Sequence, residues 1–161
     1  MSKHRYEAQL QWAGDPATGT QRYEDYSREF RVQIGDKPEL VGSADPNYRG
    51  DPSLYNPEDL LLAAIAGCHM LSYLAVCAKK RVNVVAYTDR PIAEMETKGG
   101  AGHFVQATLR PRVVITDPEQ AALAAELHET AGRYCFIAAS VNFPIHHEPE
   151  IVVDAAAPGG A

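Results

Sequence analysis

Three cysteines, Cys68, Cys77 and Cys135, are the residues of this chain best suited to covalent chemistry. A thiolate is a strong nucleophile that oxidants convert to sulfenic acid and then, with a second thiol, to a disulfide. Cys68 lies in Ala66-Gly67-Cys68-His69, where the glycine lets a ligand or another backbone approach the sulfur closely. By position alone, an inert buried cysteine is the default reading. Cys135 sits in Arg133-Tyr134-Cys135-Phe136, where a chain turn can present a thiol, and its position alone leaves both readings open. Cys77 follows Cys68 by nine residues of one helix, 77 − 68 = 9. About 13.5 Å of helical rise then separates the two, too far to bridge, and Cys77 reads as core packing.

The remaining reactive side chains carry weaker patterns. His69 adjoins Cys68, but successive helical residues diverge by about 100°, so His69 is expected to face elsewhere. His146 and His147 are adjacent and point to opposite sides of an extended segment. No C-x-x-C or H-E-x-x-H spacing accompanies them, so neither a metal nor another cofactor is expected. A Cys–His acyl-transfer centre built on His69 or His128 would leave a thioester rather than a disulfide. Glu58 reads as a first-turn acid favoured by the helix dipole, and Arg22, Arg28 and Arg49 read as solvated charges. Met70, Leu71, Phe136 and Ile137 flank the two thiols in sequence, and Phe136 or Ile137 is expected at the entrance of any apolar substrate site.

The elements that must position these residues are legible from periodicity. Tyr6–Trp12 and Glu29–Ile34 alternate as half-buried strands of an antiparallel sheet, with turn-rich segments between and after them at 13–20 and 42–55. Asn56-Pro57-Glu58-Asp59 supplies an N-cap, a proline at the first helical position and first-turn acids, while Lys79, Lys80 and Arg81 complement the far end. That predicts a helix of roughly six turns with Cys68 near its middle. Strands follow at 83–88 and 92–97, then a turn at 99–102 and a returning strand at 104–115, interrupted by Pro111 as an edge or bulge. Asp117-Pro118-Glu119-Gln120 opens a second helix to about Arg133, with Ala124, Leu127 and Ala131 on one face. A strand at 150–153 closes one domain spanning residues 1–154, and the small-residue tail 155–161 is expected to fray. The order is that of an α+β fold.

Composition excludes several functions. The chain has 161 residues, a net charge of −6 and 15 scattered Lys and Arg, which leave no basic footprint for nucleic acid. The N-terminus has no signal-peptide pattern, so a cytoplasmic protein is expected. Leu60–Ala78 is apolar over about the length that spans a bilayer. Its Ala and Gly content, together with His69, Ser72 and Tyr73, fits a fully buried core helix better than a membrane span. A helix apolar on every side needs cover that so few helices cannot supply alone, and a second subunit would provide it.

The segment Asn56-Pro57-Glu58-Asp59-Leu60-Leu61, with Cys68 ten positions after Glu58, resembles the N-P-E-[EDQ]-L segment and peroxidatic cysteine of the OsmC/Ohr family. Cys135 lies 135 − 68 = 67 residues on, close to the family's separation, and Ser140-Val141-Asn142 resembles the polar turn after its resolving cysteine. The resemblance covers most of the chain. It implies antiparallel sheets around two long buried central helices in an intertwined homodimer. It also implies reduction of organic hydroperoxides by Cys68, resolution by Cys135 as an intramolecular disulfide, and regeneration by a dithiol such as a lipoylated protein.

In the family an arginine held by a glutamate activates the thiolate. Glu58 matches that glutamate, and Arg49 resembles the arginine preceding the motif in the OsmC branch. The Ohr branch draws its arginine from the loop between the first two strands, where Arg22 and Arg28 are the candidates, although the T-G-G-R form of that loop is lacking. Glu58 and Cys68 are about 15 Å apart along one helix, so Glu58 is expected to act through the arginine or across the dimer interface. The alternative is a non-enzymatic ligand-binding dimer of the same fold with buried thiols.

Overall fold

A computed structural model describes residues 2–154; the tail from 155 lies outside the described residues. The contacts divide into two compact units, the first running to Leu61 and the second starting at Leu62.

In the first unit, β1 (Gln9–Trp12), β2 (Phe30–Gln33) and β3 (Leu40–Gly42) form an antiparallel sheet in that order. Leu10 opposes Val32 and Trp12 opposes Phe30. The first strand begins later than its alternation suggests, because the pairing runs over Gln9–Trp12 alone. The segment after β3 is an ordered loop. Asp45 caps a short 3-10 turn at Pro46–Tyr48 by accepting the Asn47 N–H at 2.7 Å, and Ser43 Oγ accepts the Asp51 N–H at 3.0 Å. Gly50 is required there: a Cβ would fall 1.5 Å from the Ala44 carbonyl oxygen.

Helix α1 spans Pro57–Lys80. Its start is a reciprocal cap, with the Asp59 N–H donating to Asn56 Oδ1 at 2.8 Å and the Asn56 N–H to Asp59 Oδ2 at 3.3 Å. Its end turns through Arg81 in the left-handed region (φ 60°), and the Val82 N–H donates to the Cys77 carbonyl at 2.9 Å. In one chain the covered stripe is Ile65, His69, Tyr73, Val76 and Cys77, while Leu71 is exposed. Met70 and Leu74 are partly covered, Leu74 against the core, while Ala63, Ala64 and Ala75 are exposed. Among the described residues α1 is the one helix long and apolar enough, by length and composition, to cross a membrane.

The second unit continues with β4 (Val84–Asp89), β5 (Ile92–Lys98), β6 (Ala101–Leu109), β7 (Pro111–Ile115), α2 (Ala121–Tyr134), β8 (Ile145–His147) and β9 (Glu150–Val153). Two sheets result, ordered β4-β7-β9 and β5-β6-β8. The 104–115 run is therefore not one interrupted strand: the chain changes sheets between Leu109 and Pro111, and Pro111 opens β7. Antiparallel pairing is also incomplete. β8 runs parallel to β6 and β9 parallel to β7, so both sheets are mixed. Tyr73, Val76 and Cys77 of α1 pack with Val113 and Ile115 of β7 and with Ala124, Leu127 and Ala131 of α2 to form the core.

Candidate active site

Cys68 occupies the middle of α1, partly accessible. Nothing lies within 4 Å of where a Cβ on Gly67 would stand, so the approach past that residue is open. Cys135 caps the C-terminus of α2, where the backbone turns from helical to extended. Its N–H donates to the Gly132 carbonyl at 3.3 Å, and its own carbonyl accepts the Ala139 N–H at 3.1 Å. Its sulfur accepts the Ala138 N–H at 3.4 Å.

The fold brings these two thiols together. Burial first, and next a side-chain hydrogen bond with Cys68, push the Cys135 thiol up, so Cys135 keeps its proton beside its neighbour. The three cysteines are free, and no disulfide joins the pair. Cys77 is buried in the core, as its position in the helix suggests, and burial raises its thiol as well. Leu71, Tyr134 and Phe136 stand exposed on the segments carrying Cys68 and Cys135, with Ile137 partly covered.

The three candidate arginines of the first unit differ in what holds them. Arg22 pairs with Asp25 at 3.1 Å. Arg28 donates to the carbonyls of Tyr23 and Tyr26 and stacks on both rings, at 4.8 and 3.6 Å from their centroids. Arg49 is exposed in the left-handed region (φ 67°), with its guanidinium 5.8 Å from the Tyr23 ring centroid. Among the described residues, Arg49 and Glu58 form no ion pair with each other or with any other residue.

The histidines hold the residues that sequence reasoning missed. His69 does face away from the open side, but into a stack of side chains from three elements. Its Nε2 lies 3.0 Å from Nδ1 of His128 on α2, and its ring stacks on His147 of β8 with centroids 4.3 Å apart. Tyr73 stacks on the far side of His128 at 3.8 Å and donates its hydroxyl to the Ala124 carbonyl at 3.0 Å. Burial, then the neighbouring imidazoles, hold His69 down to about 3, and the same causes hold His128 down to about 4. All three rings are thus neutral near pH 7. A signal existed in the sequence. Ile65, His69, Tyr73 and Val76 repeat at helical spacing, and His128 shares the face of Ala124 and Ala131. Both histidines stand on apolar stripes. Among the described residues no group of three His, Cys, Asp or Glu side chains is arranged to hold a metal ion.

A family model described as OsmC-like protein matches residues 50–150. No curated protein matches the chain in sequence. Among solved structures, an OsmC-like protein of unknown function from Vibrio cholerae O1 biovar eltor superposes with a TM-score of 0.82 at 26% identity, covering 91% of this chain and 99% of that one. An organic hydroperoxide resistance protein from Elizabethkingia anophelis superposes at 0.65 with 15% identity, covering 95% of this chain and 100% of that one. One from Legionella pneumophila gives 0.66 at 15% identity, with the same coverage. At that identity the last two establish likeness of fold alone.

Proposed function

The chain belongs to the OsmC-like protein family, and from that premise we propose that it is a thiol-dependent peroxidase that reduces organic hydroperoxides. The observation that carries this reading is the approach of the Cys135 thiol to Cys68 with no disulfide between them. The Cys68 thiolate attacks an oxygen of the hydroperoxide, breaking the O–O bond. Cys68 becomes a sulfenic acid and the alkoxide leaves, taking a proton to become the alcohol. Cys135 then attacks the Cys68 sulfur, a disulfide forms, and water departs. A dithiol reductant, for which a lipoylated protein is the natural class, reduces the disulfide and is itself oxidised.

Arg49 is assigned to polarise the peroxide and stabilise the thiolate, with Glu58 holding it, in a cytoplasmic homodimer. Support comes from the engagement of the other two arginines: Arg22 has a carboxylate partner, and Arg28 is tied to backbone carbonyls. Phe136 and Ile137, beside Cys135, offer the apolar surface that an alkyl hydroperoxide requires.

Non-reducing mass spectrometry after stoichiometric cumene hydroperoxide tests the cycle, with wild type set against Cys68→Ser and Cys135→Ser and peroxide consumption followed with a dithiol. The expected result is a Cys68–Cys135 disulfide with turnover in wild type and loss of both in Cys68→Ser. In Cys135→Ser one equivalent of peroxide is consumed and sulfenic acid stays on Cys68. Unreacted thiols and undiminished peroxide would overturn the reading and leave a ligand-binding dimer.

A further inference from the structure

His69 immediately follows Cys68 on α1, and His128 precedes Cys135 by 135 − 128 = 7 residues, about two turns of α2. The hydrogen bond between their rings, at 3.0 Å, is therefore a strut between the two elements that carry the thiols. The strut is sealed. His69 is 1% exposed and His128 2%, with His147 stacked against one ring and Tyr73 against the other. Gly132 of α2 lies so close to His147 that a Cβ there would be 3.2 Å from its ring.

One proton bridges the facing nitrogens, and the outer atoms, His69 Nδ1 and His128 Nε2, are buried without a partner. That arrangement suits neutral rings and no others. Protonation of both rings would set two N–H donors and two positive charges face to face, and even one added charge would be desolvated. The titratable groups around the stack are Tyr73 and Cys77 from α1, His147 with His146 from β8, and Tyr87 with Asp89 from β4, reached through Tyr73. Asp89, the sole carboxylate of that set, is half-buried near Tyr87 and accepts the Arg110 N–H.

We propose that His69 and His128 are positioning residues for the thiol pair: their hydrogen bond holds α1 and α2 at the separation at which Cys135 reaches Cys68, and protonation of the imidazole stack releases it. The inference rests on the peroxidase reading of the two cysteines and adds to it an acid-sensitive resolving step, separate from ionisation of the thiols. Attack on peroxide, in which Cys135 takes no part, is left untouched.

Rapid quenching after one equivalent of cumene hydroperoxide separates the two steps, with dimedone trapping sulfenic acid and mass spectrometry counting the disulfide, from neutral pH down through the folded values of His128 and His69, about 4 and about 3. In wild type the ratio of disulfide to sulfenic acid should fall as the pH reaches those values. His69→Gln and His128→Asn place an amide where the bonding nitrogen stood but cannot be protonated, and should hold the ratio at low pH above that of wild type. His128→Leu should lower it at every pH by roughly tenfold, the scale of one lost intramolecular hydrogen bond. Near-UV circular dichroism identifies the variants that fold. Identical pH profiles in wild type and the folded amide variants would overturn the proposal. If wild type forms no disulfide at any pH, the thiol-pair reading fails instead. The strut is then judged by imidazole nitrogen NMR, and ordinary titration of both rings near 6.5 would overturn it.

Discussion

An arginine that activates a thiolate has to be free to turn toward it, and by that measure the three arginines of the first unit separate. Arg28 spends its donors on two backbone carbonyls between two tyrosine rings, so its work is to hold the loop. Arg49 has no such ties. Removing a preorganised charge from a reacting centre typically costs on the order of 10²-fold or more in rate. Arg49→Ala is expected to lower kcat/KM for cumene hydroperoxide by about that factor. Arg28→Ala should instead lower the denaturation midpoint and spare the rate; the reverse outcome would transfer the activating role to Arg28. At this scale the thiols were legible because the motif around Glu58 and the spacing to Cys135 are written along the chain. The imidazole stack was not: His69 meets partners 59 and 147 − 69 = 78 residues away, and neighbour geometry on one helix says nothing about what waits on its covered side.

Elements were legible where the chain states its own boundaries. Asn56 and Asp59 cap α1 with two reciprocal hydrogen bonds, and Asn56→Ala should cost about 1 kcal/mol, read as a lower urea midpoint with an unchanged slope. An unchanged midpoint would mean that the turn at 51–56, already braced by Asp51, sets the helix start without the cap. Strands were harder. A three-residue strand such as β8 has too few positions to show a period, and parallel partners leave no hairpin signature because they lie far apart in sequence. The 104–115 run alternates well enough for one strand, yet it divides between two sheets. Arg110 turns out at that point, donating its N–H to Asp89 Oδ1 at 2.8 Å, while Pro111 begins the new ladder opposite Asp89. The break is made by a side-chain acceptor from another strand, which local periodicity does not register.

For the molecule as a whole, two kinds of burial set the expected behaviour. Histidines buried as neutral rings bind protons more weakly folded than unfolded, so the unfolded chain takes up more protons as pH falls below its ordinary histidine pKa of about 6.5. Stability is therefore complete above that pH and falls as the pH drops toward the folded values of about 4 and about 3. Asp89, whose carboxyl burial raises, acts in the opposite sense nearer the carboxylate range. A loss on the order of a few kcal/mol is expected between pH 6.5 and 4.5, and a flat urea midpoint over that interval would refute it. Burial along α1 is one-sided. Its apolar window has a mean hydropathy of 2.0, yet 22% of it is buried within one chain, and Leu71 is 65% exposed. In water such a face calls for a partner, and we propose a second copy of the same helix. Sedimentation velocity should then show a dimer, and Leu71→Lys, which sets a charge into that face, should shift it toward monomer or precipitate it. A wild-type chain that sediments as a stable monomer in the absence of detergent would mean that α1 is covered in another way, and of the two routes expected for Glu58 it would leave only action through the arginine.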